Sequence, residues 1–263
     1  MADNLDEDNL KIAKSTFSSR LLVGTGKYKN EDEAKEAIQV SGAEIVTVAI
    51  RRVDFSNLKN SSILDYLPPE EFTILPNTAG SYTAEEAVRM ARLGKEMLEG
   101  NSFIKLEVLK DPDTLLPNMD ATVEAAKILT KEGFDVMVYC TDEYEYAIKL
   151  QEIGCASIMP LASPIGSGLG LVSPDKIQKI IEDISVPVIV DAGIGTASDV
   201  VIAMEMGADA VLLNSAIAYA ENPIKMARAM KLATISGRES YLSGRMEKSQ
   251  GKASSPNEGI IGT

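Results

Sequence analysis

Three ionisable side chains stand in apolar, β-branched stretches of the chain, and their types suit carbonyl chemistry. Within residues 103–108, Lys105 and Glu107 alternate with apolar residues, so in a strand both point to one face, about 6.6 Å apart along it. Asp191 ends the apolar run 186–190. A lysine amine forms an imine with a ketone or aldehyde, and carboxylates transfer the protons that this reaction needs. The sequence therefore predicts Schiff-base catalysis by Lys105, Glu107 and Asp191.

The protonation state of Lys105 decides how the two carboxylates are assigned. The amine must be neutral to attack, and with a reference pKa near 10.4 roughly one lysine in a few thousand is neutral at pH 7. Burial would raise that fraction, whereas an ionised Glu107 nearby would lower it. We therefore predict that Glu107 and Asp191 move protons on the bound substrate. Simpler interpretations stay open: Lys105 and Glu107 form a structural ion pair or face solvent, and Asp191 only caps a turn.

The elements that must position these residues alternate regularly along the chain. Eight short runs predict strands, at residues 20–24, 45–50, 73–76, 103–108, 136–140, 157–161, 186–191 and 210–214. Helical periodicity lies between them, as in 83–98 and 119–132, and a glycine ends several helices just before the next strand, at Gly42, Gly133, Gly154 and Gly207. Eight βα units in about 250 residues favour a single-domain α/β protein, a (β/α)8 TIM barrel, over a doubly wound sheet of six strands.

Two turns made of small residues predict a phosphate site. Gly193 and Gly195 follow the seventh predicted strand, and Asn214 and Ser215 stand at the end of the eighth. TIM barrels recurrently bind phosphate in these loops, because bare backbone N–H groups and a helix N-terminus favour an anion. We therefore predict a phosphorylated substrate.

Two other glycine-rich segments do not match nucleotide-binding motifs. Residues 164–170 space their glycines as G-x-G-x-G after the sixth strand, which is neither the spacing nor the place of a dinucleotide fingerprint. Residues 24–28 are not a phosphate-binding P-loop, because Tyr28 follows Lys27 and no glycine lies five residues before Gly26. Both segments are predicted to form flexible walls of the substrate pocket.

Composition limits the possible partners and chemistry. The 263 residues include 26 Lys and Arg against 39 Asp and Glu, a net charge of −13, which argues against nucleic acid and anionic membranes as partners. Histidine is absent and there are two cysteines, Cys140 and Cys155, so no Ser-His pair and no His-ligated metal is expected, and the cysteines are predicted to be small buried residues. We predict no metal and no cofactor. The acidic start and the lack of an 18-residue apolar run predict a cytoplasmic protein.

The two ends and one loop depart from the βα pattern. Residues 1–16 are predicted to be an acidic N-terminal extension, 17–242 the catalytic barrel, and 243–263 a mobile tail of small and polar residues. The long connection 51–72 lies between the second and third predicted strands. It is interpreted as a lid or a subunit contact, with a solvated surface insertion as an equal alternative.

Several motifs, taken together, resemble those of the thiazole synthases of thiamin biosynthesis. The resemblance runs from about residue 17 to residue 245 and rests chiefly on the segments 105–108, 115–117, 159–161 with 164–170, 188–195 and 208–214. It implies a (β/α)8 enzyme that builds thiazole phosphate from 1-deoxy-D-xylulose 5-phosphate, dehydroglycine (2-iminoacetate) and sulfur. The sulfur would come as a thiocarboxylate on the Gly-Gly tail of a small sulfur-carrier protein.

The same resemblance implies roles for individual residues. Lys105 would form the imine with the ketose phosphate, and Glu107 and Asp191 would act as acid and base. The residues expected to hold the substrate, mainly its phosphate, are Gly166, Ala192, Gly193, Asn214 and Ser215. A homo-oligomer, commonly a tetramer, is expected. Two alternatives remain: another Schiff-base barrel enzyme such as a class I aldolase, and a non-catalytic sugar-phosphate-binding subunit.

Overall fold

The protein is a closed ring of eight parallel strands surrounded by helices. The computed structural model describes residues 8–52, 67–68, 70–98 and 101–249. Its strands are β1 (Leu10–Ile12), β2 (Ser15–Phe17), β3 (Leu21–Gly24), β4 (Ile45–Ala49), β5 (Thr73–Asn77), β6 (Phe103–Leu106), β7 (Asp135–Cys140), β8 (Ser157–Pro160), β9 (Ile189–Asp191) and β10 (Ala210–Leu213). Strands β3 to β10 form the large sheet, and parallel bridges between 158 and 188 and between 161 and 191 join β8 to β9. The predicted (β/α)8 TIM barrel and its eight strands are confirmed.

The helices around the barrel are partly delimited by local sequence signals. They are α1 (Glu31–Ser41), α2 (Ala84–Met97), α3 (Met119–Lys131), α4 (Tyr144–Ile153), α5 (Pro174–Asp183), α6 (Ala197–Glu205), α7 (Ser215–Ala218) and α8 (Pro223–Ser243). Thr83 caps α2 by accepting a hydrogen bond from the Glu86 N–H, while the Glu86 carboxylate accepts from the Tyr82 N–H. The four predicted joint glycines have φ between 64° and 96°, the left-handed region that favours glycine.

Alternation along each strand divides the apolar side chains between two cores. Ile104, Leu106 and Val108 on β6 and just beyond it pack outward among residues of α2 and α3. Phe103 packs inside the barrel with one or more side chains from each of the other seven strands. Neighbouring residues of a strand point to opposite faces of the sheet. Because Ile104, Leu106 and Val108 point outward, Lys105 and Glu107 point into the barrel interior.

An antiparallel hairpin of β1 and β2, which the sequence analysis did not predict, closes the N-terminal end of the barrel. Its apolar side chains join the interior core, and the Phe17 and Phe103 rings lie 6.4 Å apart. Asp8, just before the hairpin, binds two arginines: its Oδ1 lies 2.8 Å from Arg20 Nη2 and 2.6 Å from Arg238 Nη2. The hairpin includes residues 10–16 of the segment assigned to the N-terminal extension, and the domain boundaries themselves stay a prediction.

Two predicted features fall mainly outside the described residues. The connection 51–72 is described only at its two ends, so the lid and insertion interpretations both concern residues beyond the description, as does most of the predicted tail. Among the described residues, no helix is both long enough and apolar enough to span a membrane.

Candidate active site

A buried ion pair crosses the barrel interior. Lys105 lies on β6 and Asp191 ends β9, and the Lys105 Nζ is 2.5 Å from Asp191 Oδ2, with each residue no more than 5% exposed. Asp191 Oδ2 has no hydrogen-bond partner among the described residues, so this ion pair is its only polar contact there. A charged pair in an apolar interior is expensive to maintain, and removing one partner would strand the other charge. Because Lys105 is buried, the alternative interpretation that it faces solvent is wrong.

Glu107 lies beside this pair and is fixed by the strand that precedes it in the barrel. Asn77, the last residue of β5, donates from Nδ2 to Glu107 Oε2 at 3.1 Å. The Thr78 hydroxyl donates to the Glu107 carbonyl and accepts from its N–H, each at 2.9 Å. Burial raises the pKa of Glu107, while Lys105 and the Asn77 hydrogen bond oppose the rise. Glu107 therefore holds a proton to higher pH than an exposed glutamate does and suits the role of an acid.

Tyr139 on β7 forms another side of the same interior. Its ring centroid is 5.8 Å from Lys105 Nζ, and its hydroxyl is buried without a hydrogen-bond partner among the described residues. Burial and the Asp191 and Glu107 charges raise the pKa of Tyr139 above its usual range, so the hydroxyl stays protonated. The ring offers Lys105 a weak cation–π contact.

One cavity of about 560 Å³ opens at the carboxyl ends of the strands, and all eight predicted site residues line it. These are the three proposed catalytic residues, Lys105, Glu107 and Asp191, and the five predicted substrate-binding residues, Gly166, Ala192, Gly193, Asn214 and Ser215. The cavity has the location and a volume typical of ligand sites in TIM barrels. The structure thus brings the predicted residues together, while their individual roles stay predictions.

The loop after β9 is shaped by close backbone approach. Gly193 has φ 73°, and a Cβ there would overlap the Ser163 Oγ and lie 2.6 Å from the Ser163 N and O atoms. The N–H groups of Gly193 and Ile194 donate no hydrogen bond to any described residue. At the start of α6, by contrast, the N–H groups of Gly195 and Thr196 already donate to Asp199 Oδ2. Within this turn, Gly193 and Ile194 are therefore the donors available to an anion.

Backbone strain is concentrated around the cavity. Four non-glycine residues among those described have positive φ, and three of them, Lys27, Leu115 and Ala192, line the cavity. The left-handed conformation costs a non-glycine residue about 1–2 kcal/mol. Such strain is typical of sites where the backbone is positioned for a ligand.

Sequence reasoning missed several residues that build the site. Asn77 and Thr78 fix Glu107, and Arg51 and Arg52 line the cavity from the short 3-10 turn after β4. All four stand at or just after the carboxyl end of a barrel strand, the position that could have identified them. The polar pair at 77–78 was visible in the sequence, but its bonds to Glu107 depend on the pairing of β5 with β6.

The two cysteines are excluded as nucleophiles by their surroundings. Cys140 and Cys155 are both buried, as predicted. Burial raises the pKa of Cys140 well above its ordinary value and that of Cys155 to about 12. Both thiols stay protonated at neutral pH and lie outside the residues that line the cavity.

Fold and site together define a (β/α)8 barrel with a buried lysine and two carboxylates in one cavity, and comparison with known proteins gives the family. The family model of the thiazole biosynthesis protein ThiG matches residues 11–256. The chain is 59% identical to a thiazole synthase of Nitrosospira multiformis over 258 residues, 97% of this chain and 98% of the relative. It is 57% identical to one of Methylobacillus flagellatus, covering 97% and 100% of the two chains. The chain belongs to the ThiG family.

A solved structure agrees with this assignment. A chain of the Amycolatopsis orientalis BexX/CysO complex superimposes with a TM-score of 0.81 at 36% sequence identity. The alignment covers 92% of this chain and 98% of that chain. The similarity therefore extends over the whole barrel and includes the strands that carry the site.

Proposed function

We propose that this chain is a thiazole synthase. It joins 1-deoxy-D-xylulose 5-phosphate, dehydroglycine (2-iminoacetate) and sulfur into the thiazole phosphate ring of thiamin. The observation that carries the proposal is the Lys105 Nζ buried 2.5 Å from Asp191 Oδ2 beside Glu107, in a chain of the ThiG family. A buried amine in contact with one carboxylate and within range of the charge of a second suits imine formation.

Lys105 begins the reaction by condensing with the ketone of the sugar phosphate. The sequence alone assigned both carboxylates to the substrate, but the contact of Asp191 Oδ2 with Nζ leads us to propose that Asp191 instead accepts the proton that the ammonium must lose before it attacks. The nitrogen then adds to the carbonyl carbon, and the carbinolamine loses its hydroxyl as water to leave the imine. Glu107, whose pKa is raised by burial, donates the proton to the departing hydroxyl. Asp191 thus acts as the base at the amine nitrogen, and Glu107 acts as the acid at the departing oxygen.

The loops at the rim hold the phosphate end of the substrate. Gly193 and Ala192 follow β9, Asn214 and Ser215 follow β10, and Gly166 lies in the loop after β8. The unused N–H groups of the β9 turn support this assignment, since backbone donors bind phosphate oxygens well. With the phosphate held there, the sugar chain extends inward toward Lys105.

A second protein supplies the sulfur in this proposal, as a thiocarboxylate on the Gly-Gly tail of a sulfur carrier. Support comes from the BexX/CysO complex, in which a similar chain is assembled with a different protein. The cavity opens at the barrel rim, so an extended tail can enter it from outside. Both sulfur and sugar would then reach the lysine from the same end of the barrel.

We also propose a homo-oligomer, with a tetramer as the expected form, working in the cytoplasm. Three large apolar residues, Leu232, Ile235 and Leu242, are 47–56% exposed at helical spacing on the outer face of α8. An exposed apolar stripe of this kind supports association between copies. Light scattering on the purified chain measures the mass directly, and a monomer at micromolar concentration would contradict the proposal.

Borohydride trapping tests the proposed chemistry. The protein is incubated with 1-deoxy-D-xylulose 5-phosphate, reduced, and mapped by mass spectrometry, with a stable adduct expected on Lys105. Lys105→Ala should lose the adduct, while Lys110→Ala, which changes an exposed lysine near the same end of the barrel, should keep it. Adding dehydroglycine and the thiocarboxylated carrier should then yield thiazole phosphate. Absence of the Lys105 adduct, or aldol cleavage products in place of thiazole, would contradict this function.

A further inference from the structure

The residues assigned to the phosphate are all electrically neutral, although a phosphate monoester is not. Gly166, Ala192, Gly193, Asn214 and Ser215 offer backbone and side-chain donors but no positive charge. A phosphate ester carries about −1.5 to −2 charge at pH 7. The chain itself has a net charge of −13, so the surrounding field opposes the approach of an anion. A cation at this end of the cavity would resolve the mismatch.

Among the described residues, four cationic side chains line the cavity, and two of them are committed elsewhere. Lys105 is paired with Asp191, and Arg51 lies 3.6 Å from the Glu86 carboxylate. Lys27 and Arg52 have no carboxylate within ion-pair distance in the described part of the chain. Arg52 acts on the Glu107 charge only at longer range. Its guanidinium is therefore available to a ligand.

The position of Arg52 follows from the Gly24–Gly26 turn, whose function the sequence motifs left open. A Cβ on Gly26 would overlap Arg52 Nη1 and lie 3.6 Å from Asn214 Nδ2. A Cβ on Gly24 would lie 2.9 Å from the Asn214 side chain. The two glycines thus leave room for an arginine and an asparagine side by side, both within 3.6 Å of one point. A single phosphate group can reach both donors.

We propose that Arg52 binds the phosphate of the sugar substrate, next to Asn214, and that Gly26 is a glycine because the guanidinium occupies the space of its side chain. This inference rests on the proposed function and adds the charged residue to its phosphate site. A planar guanidinium gives two parallel hydrogen bonds to phosphate oxygens as well as charge. Arg52 selects the phosphorylated ketose over the free sugar.

Borohydride trapping with two sugars tests the role of Arg52 in binding the phosphate. The Lys105 adduct is measured against the concentration of 1-deoxy-D-xylulose 5-phosphate and of 1-deoxy-D-xylulose, which lacks the phosphate. In Arg52→Gln the half-saturating concentration of the phosphate ester should rise about 10- to 100-fold, with the free sugar unchanged. Arg52→Lys should give an intermediate half-saturating concentration, because lysine keeps the positive charge but cannot form the two parallel hydrogen bonds of a guanidinium. Gly26→Ala should show the same selective loss by displacing the guanidinium.

Controls separate this proposal from the one on which it rests. Arg92→Gln, which removes an exposed arginine paired with Glu132 outside the barrel, should change neither substrate. Binding of inorganic phosphate is measured by calorimetry on the wild type and Arg52→Gln, so Arg52 is tested even if no adduct forms. Two results would overturn the role of Arg52. One is an adduct that forms with the same preference for the phosphate ester in the wild type and in Arg52→Gln. The other is a variant in which only the use of dehydroglycine is weakened. A wild type that binds phosphate through Arg52 without forming an adduct would overturn the imine chemistry only.

Discussion

The two ends of the barrel shift the pKa values of their carboxyl groups in opposite directions. At the N-terminal end, Asp8 accepts hydrogen bonds from Arg20 and Arg238, and the Arg238 bond in particular holds the pKa of Asp8 below its ordinary value. At the carboxyl end, Glu107 is buried with its pKa raised, and the Tyr139 hydroxyl has no partner in the described residues. One end stabilises the fold, whereas the other holds a buried carboxyl group whose raised pKa suits proton transfer.

Glu107→Gln should produce the largest effect, and it should fall on activity. The substitution keeps the size of the side chain and a carbonyl oxygen for Asn77 but removes the transferable proton. The rate of thiazole formation should drop about 10²- to 10⁴-fold, the usual contribution of a general acid. Steady-state kinetics measures it, with Glu124→Gln on the outer helix α3 as the control. A rate within threefold of the wild type would remove Glu107 from the mechanism.

Gly193→Ala should damage both stability and activity, because the carboxyl end is also tightly packed. The added Cβ would overlap Ser163, whose backbone cannot move easily, and φ is 73°. Overpacking and left-handed strain together predict a loss of about 2–5 kcal/mol. Gly133→Ala is the matched control: its φ is 79°, but nothing lies within 4 Å of the Cβ position. Denaturant unfolding should show a loss of only about 1 kcal/mol there, and equal losses would contradict the packing argument.

Asp8→Asn should weaken the other end without changing the chemistry. The variant loses charge-assisted hydrogen bonds to two arginines, and partial exposure of Asp8 limits the loss to about 1–2 kcal/mol. Because the pKa of folded Asp8 lies below its ordinary 3.8, the stabilisation is present above that pH and disappears as pH falls through the folded value. Thermal unfolding should show the two proteins converging in stability as pH falls below 3.8. A fall in kcat at unchanged folding would instead couple this end to catalysis.

The stability of Glu107→Gln should change with pH in the opposite sense. A carboxyl whose folded pKa is raised stabilises the fold below its ordinary 4.5, and that contribution is lost as pH rises through the folded value. Glutamine stays neutral at every pH and avoids the cost of burying an ionised carboxylate. The variant should therefore become more stable than the wild type at higher pH, by on the order of 1 kcal/mol. Melting curves between pH 5 and pH 8 measure the difference. A variant that is less stable across that range would mean that the Lys105 interaction outweighs burial.

Tyr139→Phe should have the smallest effect on stability. The hydroxyl has no hydrogen-bond partner to lose among the described residues, and the ring keeps its contacts with Leu109 and Leu161. The unfolding free energy should stay the same or rise by less than about 1 kcal/mol. A loss above about 1.5 kcal/mol, read from denaturant unfolding, would show that the hydroxyl is hydrogen-bonded in the folded protein.

Local signals predicted most of the fold and the main part of the site. The eight strands and the positive φ of Gly42, Gly133 and Gly154 followed from runs and turn residues that act over a few positions. The hairpin of β1 and β2 was missed, since strands of three residues leave almost no periodicity to detect. The partners of Glu107 were missed as well, because Asn77 lies 30 residues away on another strand.

The sequence alone determined that Lys105 and Glu107 share a face and that the chain forms eight βα units, because alternation and helix-ending glycines are properties of neighbouring residues. The tertiary structure alone decided that Lys105 pairs with Asp191 on β9, and that Gly26 leaves space for Arg52. Those contacts join residues from different strands, and their distances depend on how the ring of strands closes. Closure is a property of the whole barrel, so no local pattern encodes it.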